Sequence, residues 1–275
     1  MGKPEQIGGV LERALAKMQI TDRPEVNRPN KICLLNMLEA ERIRGAISNK
    51  IMTMFGIRYR KVEFENFERY GNNKEQEDQE SAFKIMRDWA NNSIKKKWLI
   101  ISGCVGTGKN HLLASALRLI LLNKINNVLK GKIGLIYSHG TGSSGLPEYE
   151  IDRVELNELL KTSWESHKCS KLIRELEEKG NEAYRLGESC KYCNLLILNE
   201  LGKYPEIEWK WELLEDIIDY RYDNRLPIVF ITNLPLKELR EYVGEPLWDR
   251  FEEMVEFVPM VWQSHRVYNK GGNDV

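Results

Sequence analysis

The run Gly103-Cys104-Val105-Gly106-Thr107-Gly108-Lys109-Asn110 limits this chain to few folds. It follows an apolar stretch of buried-strand type, Trp98 to Ser102, and precedes a helical pattern over His111 to Leu122. A glycine-rich turn between strand and helix is the setting in which this spacing cradles phosphate, as a P-loop. The glycines let successive backbone N–H groups face one anion. The helix N-terminus adds a favourable dipole, and Lys109 a point charge for the outer phosphates. Nucleotide contacts are assigned to Gly103, Val105, Gly106, Thr107, Gly108, Lys109, Asn110 and His111. The motif usually ends in Ser or Thr, whose hydroxyl ligates Mg²⁺, whereas Asn110 offers only an amide oxygen. A glycine-rich turn without nucleotide is the plain alternative, and the downstream motifs argue against it.

From Trp98 onward, apolar strand patterns alternate with helical ones, which implies a parallel sheet flanked by helices. Strands are expected at Trp98 to Ser102, Ile133 to Tyr137, Leu195 to Leu198, Ile228 to Ile231 and Met254 to Val258. Helices are expected at Val154 to Trp164, Leu172 to Tyr184, Trp211 to Tyr222, Leu236 to Tyr242 and Leu247 to Glu252. A further helix carries Ala82, Phe83, Met86 and Trp89 on its apolar face. His139 to Gly145 reads as a Gly/Ser loop. Earlier, Val10 to Met18 and the series Leu34, Leu38, Ile43, Ile47, Ile51, Met54 have helical spacing. The expected architecture is α/β: a P-loop ATPase core at residues 56–275 and a small helical N-terminal region at 1–55. The N-terminal stripes need a cover, either each other or a partner.

Leu195-Leu196-Ile197-Leu198-Asn199-Glu200 has the form of the second half of an ATP site, an apolar strand ending in two polar residues. The usual pair is Asp-Glu, in which the Asp holds Mg²⁺ and the Glu orients the attacking water. A neutral amide at Asn199 attracts Mg²⁺ less than a carboxylate does. With Asn110 and Asn199 as its only candidate metal ligands, the site is expected to bind ATP and Mg²⁺ but hydrolyse slowly.

Several separate pieces resemble the DnaC/DnaI-type replicative helicase loaders of the AAA+ ATPases, from about Gly56 to Arg266. Gly56-Ile57-Arg58 and Phe64-Glu65-Asn66-Phe67 resemble the lead-in to that family's core. Gly106 to Leu112 matches its P-loop, in which Asn also follows the Lys. Asn110 is therefore a family trait, while Asn199 departs from the family's Asp. The resemblance implies that Glu200 is catalytic and that Asn233, in Thr232-Asn233, senses the γ-phosphate. It implies an arginine finger at Arg250, in Trp248-Asp249-Arg250, acting in trans on a self-associated neighbour. It also implies a second sensor at Arg266, in Trp262 to Arg266. Partners implied are a hexameric replicative DNA helicase, contacted by the N-terminal region, and single-stranded DNA. Each arginine alone would read as a surface ion pair; their order along the chain favours the family roles.

Lys+Arg and Asp+Glu both number 41, so no globally basic coat advertises nucleic-acid binding. Local candidates for DNA are Lys95 to Lys97 and Lys124, Lys130 and Lys132, each of which also reads as a solvated face. No apolar run is long enough to span a membrane, and the N-terminus lacks signal-peptide character. Five irregularly placed cysteines fit reduced thiols in a cytoplasmic protein. Cys190 and Cys193 have zinc-compatible spacing, but incidental buried thiols are the better reading. Two other functions stay open. One is an IstB-like transposition helper ATPase, for which Leu201-Gly202 and Tyr204-Pro205 speak. The other is a non-hydrolysing, ATP-switched binding protein, for which Asn199 speaks.

Overall fold

The structure is a computed structural model that describes residues 37–93, 97–138, 153–178, 180–203 and 212–271. Two compact units divide the chain, Met1–Lys50 with Leu121–Lys161 and Ile51–Ile120 with Thr162–Val275. In order, the elements are α1 (Met37–Phe55), α2 (Asn73–Asp88), β1 (Trp98–Gly103), α3 (Lys109–Ser138) and α4 (Arg153–Leu160). There follow β2 (Trp164–Lys168), α5 (Cys169–Glu177), α6 (Asn181–Tyr192), β3 (Leu195–Leu201) and α7 (Glu212–Asp223). The last are β4 (Ile228–Thr232), α8 (Leu236–Met254), β5 (Val255–Met260) and α9 (His265–Gly271).

The second unit contains a five-stranded sheet in the order β2-β3-β4-β1-β5. Every pairing is parallel, for example Ile100 with Phe230 and with Phe257. Parallel sheets are covered on both faces, and β1, β3 and β4 accordingly read as near-continuous apolar runs. Alternate residues serve the two faces. Trp98, Ile100, Leu196, Leu198, Ile228 and Phe230 join one core cluster with residues of α5 to α8. Within it the rings of Trp98, Phe230 and Phe251 meet at centroid distances of 4.9 to 6.2 Å. On the opposite face Leu99, Ile101, Ile197 and Val229 are also fully or nearly fully buried. In α1, Ile43, Ile47 and Ile51 are buried, so the stripe seen in the sequence is an inward face.

Three expectations are corrected. Residues Ile133 to Tyr137 continue helix α3 instead of forming a strand. An apolar stretch this short is compatible with a helix as well as a strand, and periodicity alone does not separate the two. The strand that completes the sheet is β2, and the helix expected over Val154 to Trp164 ends at Leu160. β2 is an edge strand reading Trp-Glu-Ser-His-Lys, only half-buried, so it lacks the apolar run that marks the inner strands. The single helix expected over Leu172 to Tyr184 is two, α5 and α6, with Gly180 at φ 145° just before the second. The two short helices expected within α8 are its two halves, separated by the non-helical Gly244 (φ 77°), two residues before Pro246. The His139 to Gly145 loop, Val10 to Met18, Tyr204-Pro205, Trp211, Lys95 and Lys96 lie outside the described residues.

Candidate functional site

Because all strands run the same way, β1, β2, β3 and β4 deliver their C-terminal ends to one sheet edge, where ligands bind in open α/β sheets. There lies a cleft of ≈ 840 Å³. It is lined by the P-loop from Val105 to His111, by Asn199 and Glu200 after β3, and by Asn233 after β4. Arg266 also lines it. The structure thus brings together every site residue expected from sequence except Gly103 and Arg250. Gly103 is the last residue of β1 and leads into the loop.

The P-loop is held by tertiary contacts. Gly106 and Gly108 have φ of 92° and 97°, a region that disfavours side chains. A Cβ on Gly106 would lie 2.0 Å from Ser264 Oγ, and one on Gly108 would lie 2.9 Å from the Phe67 ring. The segment after β5 folds over the loop. Trp262 Nε1 donates to Thr107 O at 3.0 Å, and His265 N donates to Gly106 O at 3.1 Å. Tyr70 braces this segment from the other side: its hydroxyl donates to Gln263 O at 2.8 Å, and its ring meets His265 at 4.9 Å. Tyr70 is itself fixed by the fully buried Gln79, which exchanges two hydrogen bonds with its backbone. Glu75 divides its oxygens. One caps α2 by accepting from Asn72 N at 3.0 Å, and the other accepts from Gln263 N at 3.2 Å. These donors hold the Glu75 carboxyl below the usual range.

Lys109 donates to Gly103 O at 2.5 Å and Cys104 O at 2.8 Å. Burial pushes its ammonium down to about 8, so the charge sits in a place that favours an anion nearby. His111 is likewise lowered by burial, with Nε2 3.3 Å from Glu63 O and its ring against Phe67. The lead-in segment before the core therefore packs directly on the P-loop helix.

The β2–β3 wall is built differently. Between Leu198 and Leu201 the β3–β4 register slips by one residue, a bulge occupied by Asn199 and Glu200. Glu200 has φ 60°, a left-handed conformation uncommon for a residue with a side chain, and such strain concentrates at functional sites. Asn199 Nδ2 donates to Ser166 Oγ at 3.1 Å. Glu200 receives Lys168 Nζ and Lys203 Nζ, each at 3.1 Å. Burial would raise the Glu200 carboxyl, but these lysines outweigh it and hold the group below its ordinary range. Ser166, His167, Lys168 and Lys203 all line the cleft and were missed in the sequence. The edge strand concealed the first three; the three-residue spacing of Lys203 from Glu200 was a readable sign.

The glycine turn, the depressed Lys109 and the size of the cleft fit a nucleoside triphosphate. A divalent ion would meet the neutral amides of Asn110 and Asn199, and one carboxylate already engaged by two lysines. Arg250 lies outside the cleft lining, ion-paired with Asp219 at 2.9 Å and placed over the Tyr222 ring. Cys169 and Cys190 are buried and pushed up to about 12, and Cys193 is raised by burial as well. Arg221 donates to Cys193 Sγ at 3.3 Å, a cation where zinc would need to be. Among the described residues no group of His, Cys, Asp and Glu is arranged to hold a metal. No described helix is long and apolar enough to cross a membrane.

This sheet order, with the P-loop after β1, defines an AAA+ P-loop fold. No protein-family profile matches the chain. In sequence it is a relative of the replicative helicase loader DnaC of Escherichia coli strain K12, 24% identical over 151 residues. That match covers 55% of this chain and 48% of the loader, so the chain spans about half the length of the curated relatives it matches. The crystal structure of the DnaC helicase loader superposes with a TM-score of 0.51 at 20% identity, covering 74% of this chain and 98% of that one. A candidate primosome component of Streptococcus pyogenes serotype M3 superposes at 0.50 and 18% identity, covering 78% and 94%.

Proposed function

We propose that this chain binds ATP in the cleft and acts in the cytoplasm as a loader, placing a hexameric replicative DNA helicase on single-stranded DNA. The supporting observation is the gathering of the P-loop, Glu200, Asn233 and Arg266 at one sheet edge, in a chain whose sequence relatives are DnaC loaders. In this reading the P-loop amides and Lys109 hold the phosphates. Glu200 orients water, Asn233 reads the γ-phosphate, and Arg266 approaches from the C-terminal segment. Mg²⁺ accompanying ATP would be carried on phosphate oxygens, with Asn110 and Asn199 as neutral ligands. Hydrolysis is slow, because Asn199 brings no charge and Glu200 is occupied by lysines. Residues 1–55 contact the helicase. Arg250, outside the cleft of its own chain, serves a neighbour's nucleotide on self-association; its ion pair with Asp219 is released there.

The test is co-purification of the full chain with a replicative helicase in the presence of ATP. Retention of the helicase is expected, and its absence would sink the loader reading; capture of a transposase instead would favour the transposition helper. Single-turnover hydrolysis with helicase and DNA present distinguishes a slow ATPase from a binding protein that never turns over. Arg250→Ala should leave ATP binding unchanged and lower assembly or hydrolysis.

A further inference from the structure

On the β2–β3 wall the cleft has neutral residues where metal ligands are usual, and it has lysines beside them. Asn199 occupies the acidic position, and Lys168 is its partner in the β2–β3 register. Lys168 and Lys203 converge on Glu200 from two sides. The charged side chains lining the cleft are Arg58, Lys109, Lys168, Lys203 and Arg266 against Glu68 and Glu200, five positive and two negative, a net of three positive charges. In carboxylate-bearing P-loop sites a divalent ion bridges the phosphates and neutralises their charge. Here the protein's own cations are placed to do so. The side chains of Lys168 and Lys203 are 60% and 43% exposed, so each ammonium group has room to swing from Glu200 toward a phosphate in the cleft.

We propose that Lys168 and Lys203 supply the charge that a divalent ion supplies elsewhere, so that the cleft binds a nucleoside triphosphate whether or not a divalent ion accompanies it. This inference rests on the ATP reading and concerns what that nucleotide needs in order to bind. Shared between phosphate and carboxylate, the two lysines also keep Glu200 engaged, in keeping with slow turnover.

The experiment titrates a fluorescent ATP analogue into the full chain, once with Mg²⁺ and once with excess EDTA. The dissociation constant in EDTA should stay within about threefold of that with Mg²⁺. The double variant Lys168→Gln, Lys203→Gln should lose at least about tenfold in EDTA and regain part of it with Mg²⁺. Its near-ultraviolet circular dichroism should match that of the parent, since both side chains are solvent-accessible. Asn199→Asp, with the lysines kept, should make binding tighter with Mg²⁺ than without. A parent protein that loses about tenfold or more in EDTA overturns the inference and leaves the ATP reading standing. A parent that binds under neither condition overturns both.

Discussion

The two walls of the cleft are held in different ways. The P-loop wall is positioned by backbone: glycine conformations, hydrogen bonds from Trp262 and His265 to loop carbonyls, and a brace through Tyr70, Gln79 and Glu75. The β2–β3 wall is positioned by side-chain ion pairs around Glu200, half-exposed to solvent. Backbone held by buried contacts has one geometry and tolerates little change. Ion pairs near solvent are individually weak and easily rearranged. The contrast implies that the glycine-rich loop is held rigidly, whereas the surroundings of Glu200 are adjustable by single substitutions.

The largest effect should come from the rigid wall. Trp262 is 1% exposed and bonds to the loop, so Trp262→Ala should cost about 3–5 kcal/mol of stability, read by urea denaturation. A much smaller loss would mean that the C-terminal segment does not hold the loop. Next, Lys109→Ala should weaken ATP binding by about 1.5–3 kcal/mol, roughly ten- to hundredfold, with the thermal midpoint of the unliganded protein little changed. Calorimetric titration checks this, and equal affinity in the variant would remove Lys109 from the site.

The adjustable wall should respond to Asn199→Asp with faster hydrolysis in Mg²⁺, by about tenfold or about 1.4 kcal/mol of barrier. An unchanged single-turnover rate would show that the amide is not what limits turnover. The smallest effect concerns pH. In the free protein Lys109 loses its proton near pH 8, and a bound polyanion favours the protonated form. Affinity is therefore full below that pH and falls as pH rises through it, by about fourfold half a unit above. A flat profile between pH 7.5 and 9 would place Lys109 in a wetter setting than its burial indicates.

The inner part of the sheet was legible because β1, β3 and β4 are buried on both faces and carry unbroken apolar runs. Asn199 and Glu200 were legible because they end such a run, whereas Asn233 was picked out by the resemblance of Thr232-Asn233 to a family motif. β2 was not, because an edge strand has one solvated flank and this one carries Glu165, Ser166, His167 and Lys168. The extended α3 was misread for the opposite reason, since a short apolar stretch has no period of its own. The role of Gln79 was also hidden: a glutamine among charged residues of a polar helix gives no sign that it will be fully buried against Tyr70.

What the sequence determined by itself is the glycine-rich turn around Lys109 between strand and helix, and the parallel α/β class. Both follow from local causes, glycine conformational freedom and the burial of consecutive apolar residues. Only the tertiary structure decided that Glu200 is clasped by Lys168 and Lys203, that Trp262 and Tyr70 lock the loop, and that Arg250 lies away from the cleft. Lys168 and Glu200 are 32 positions apart and Tyr70 and Gln263 are 193, and their contacts depend on strand order and bulge geometry, which no local pattern encodes.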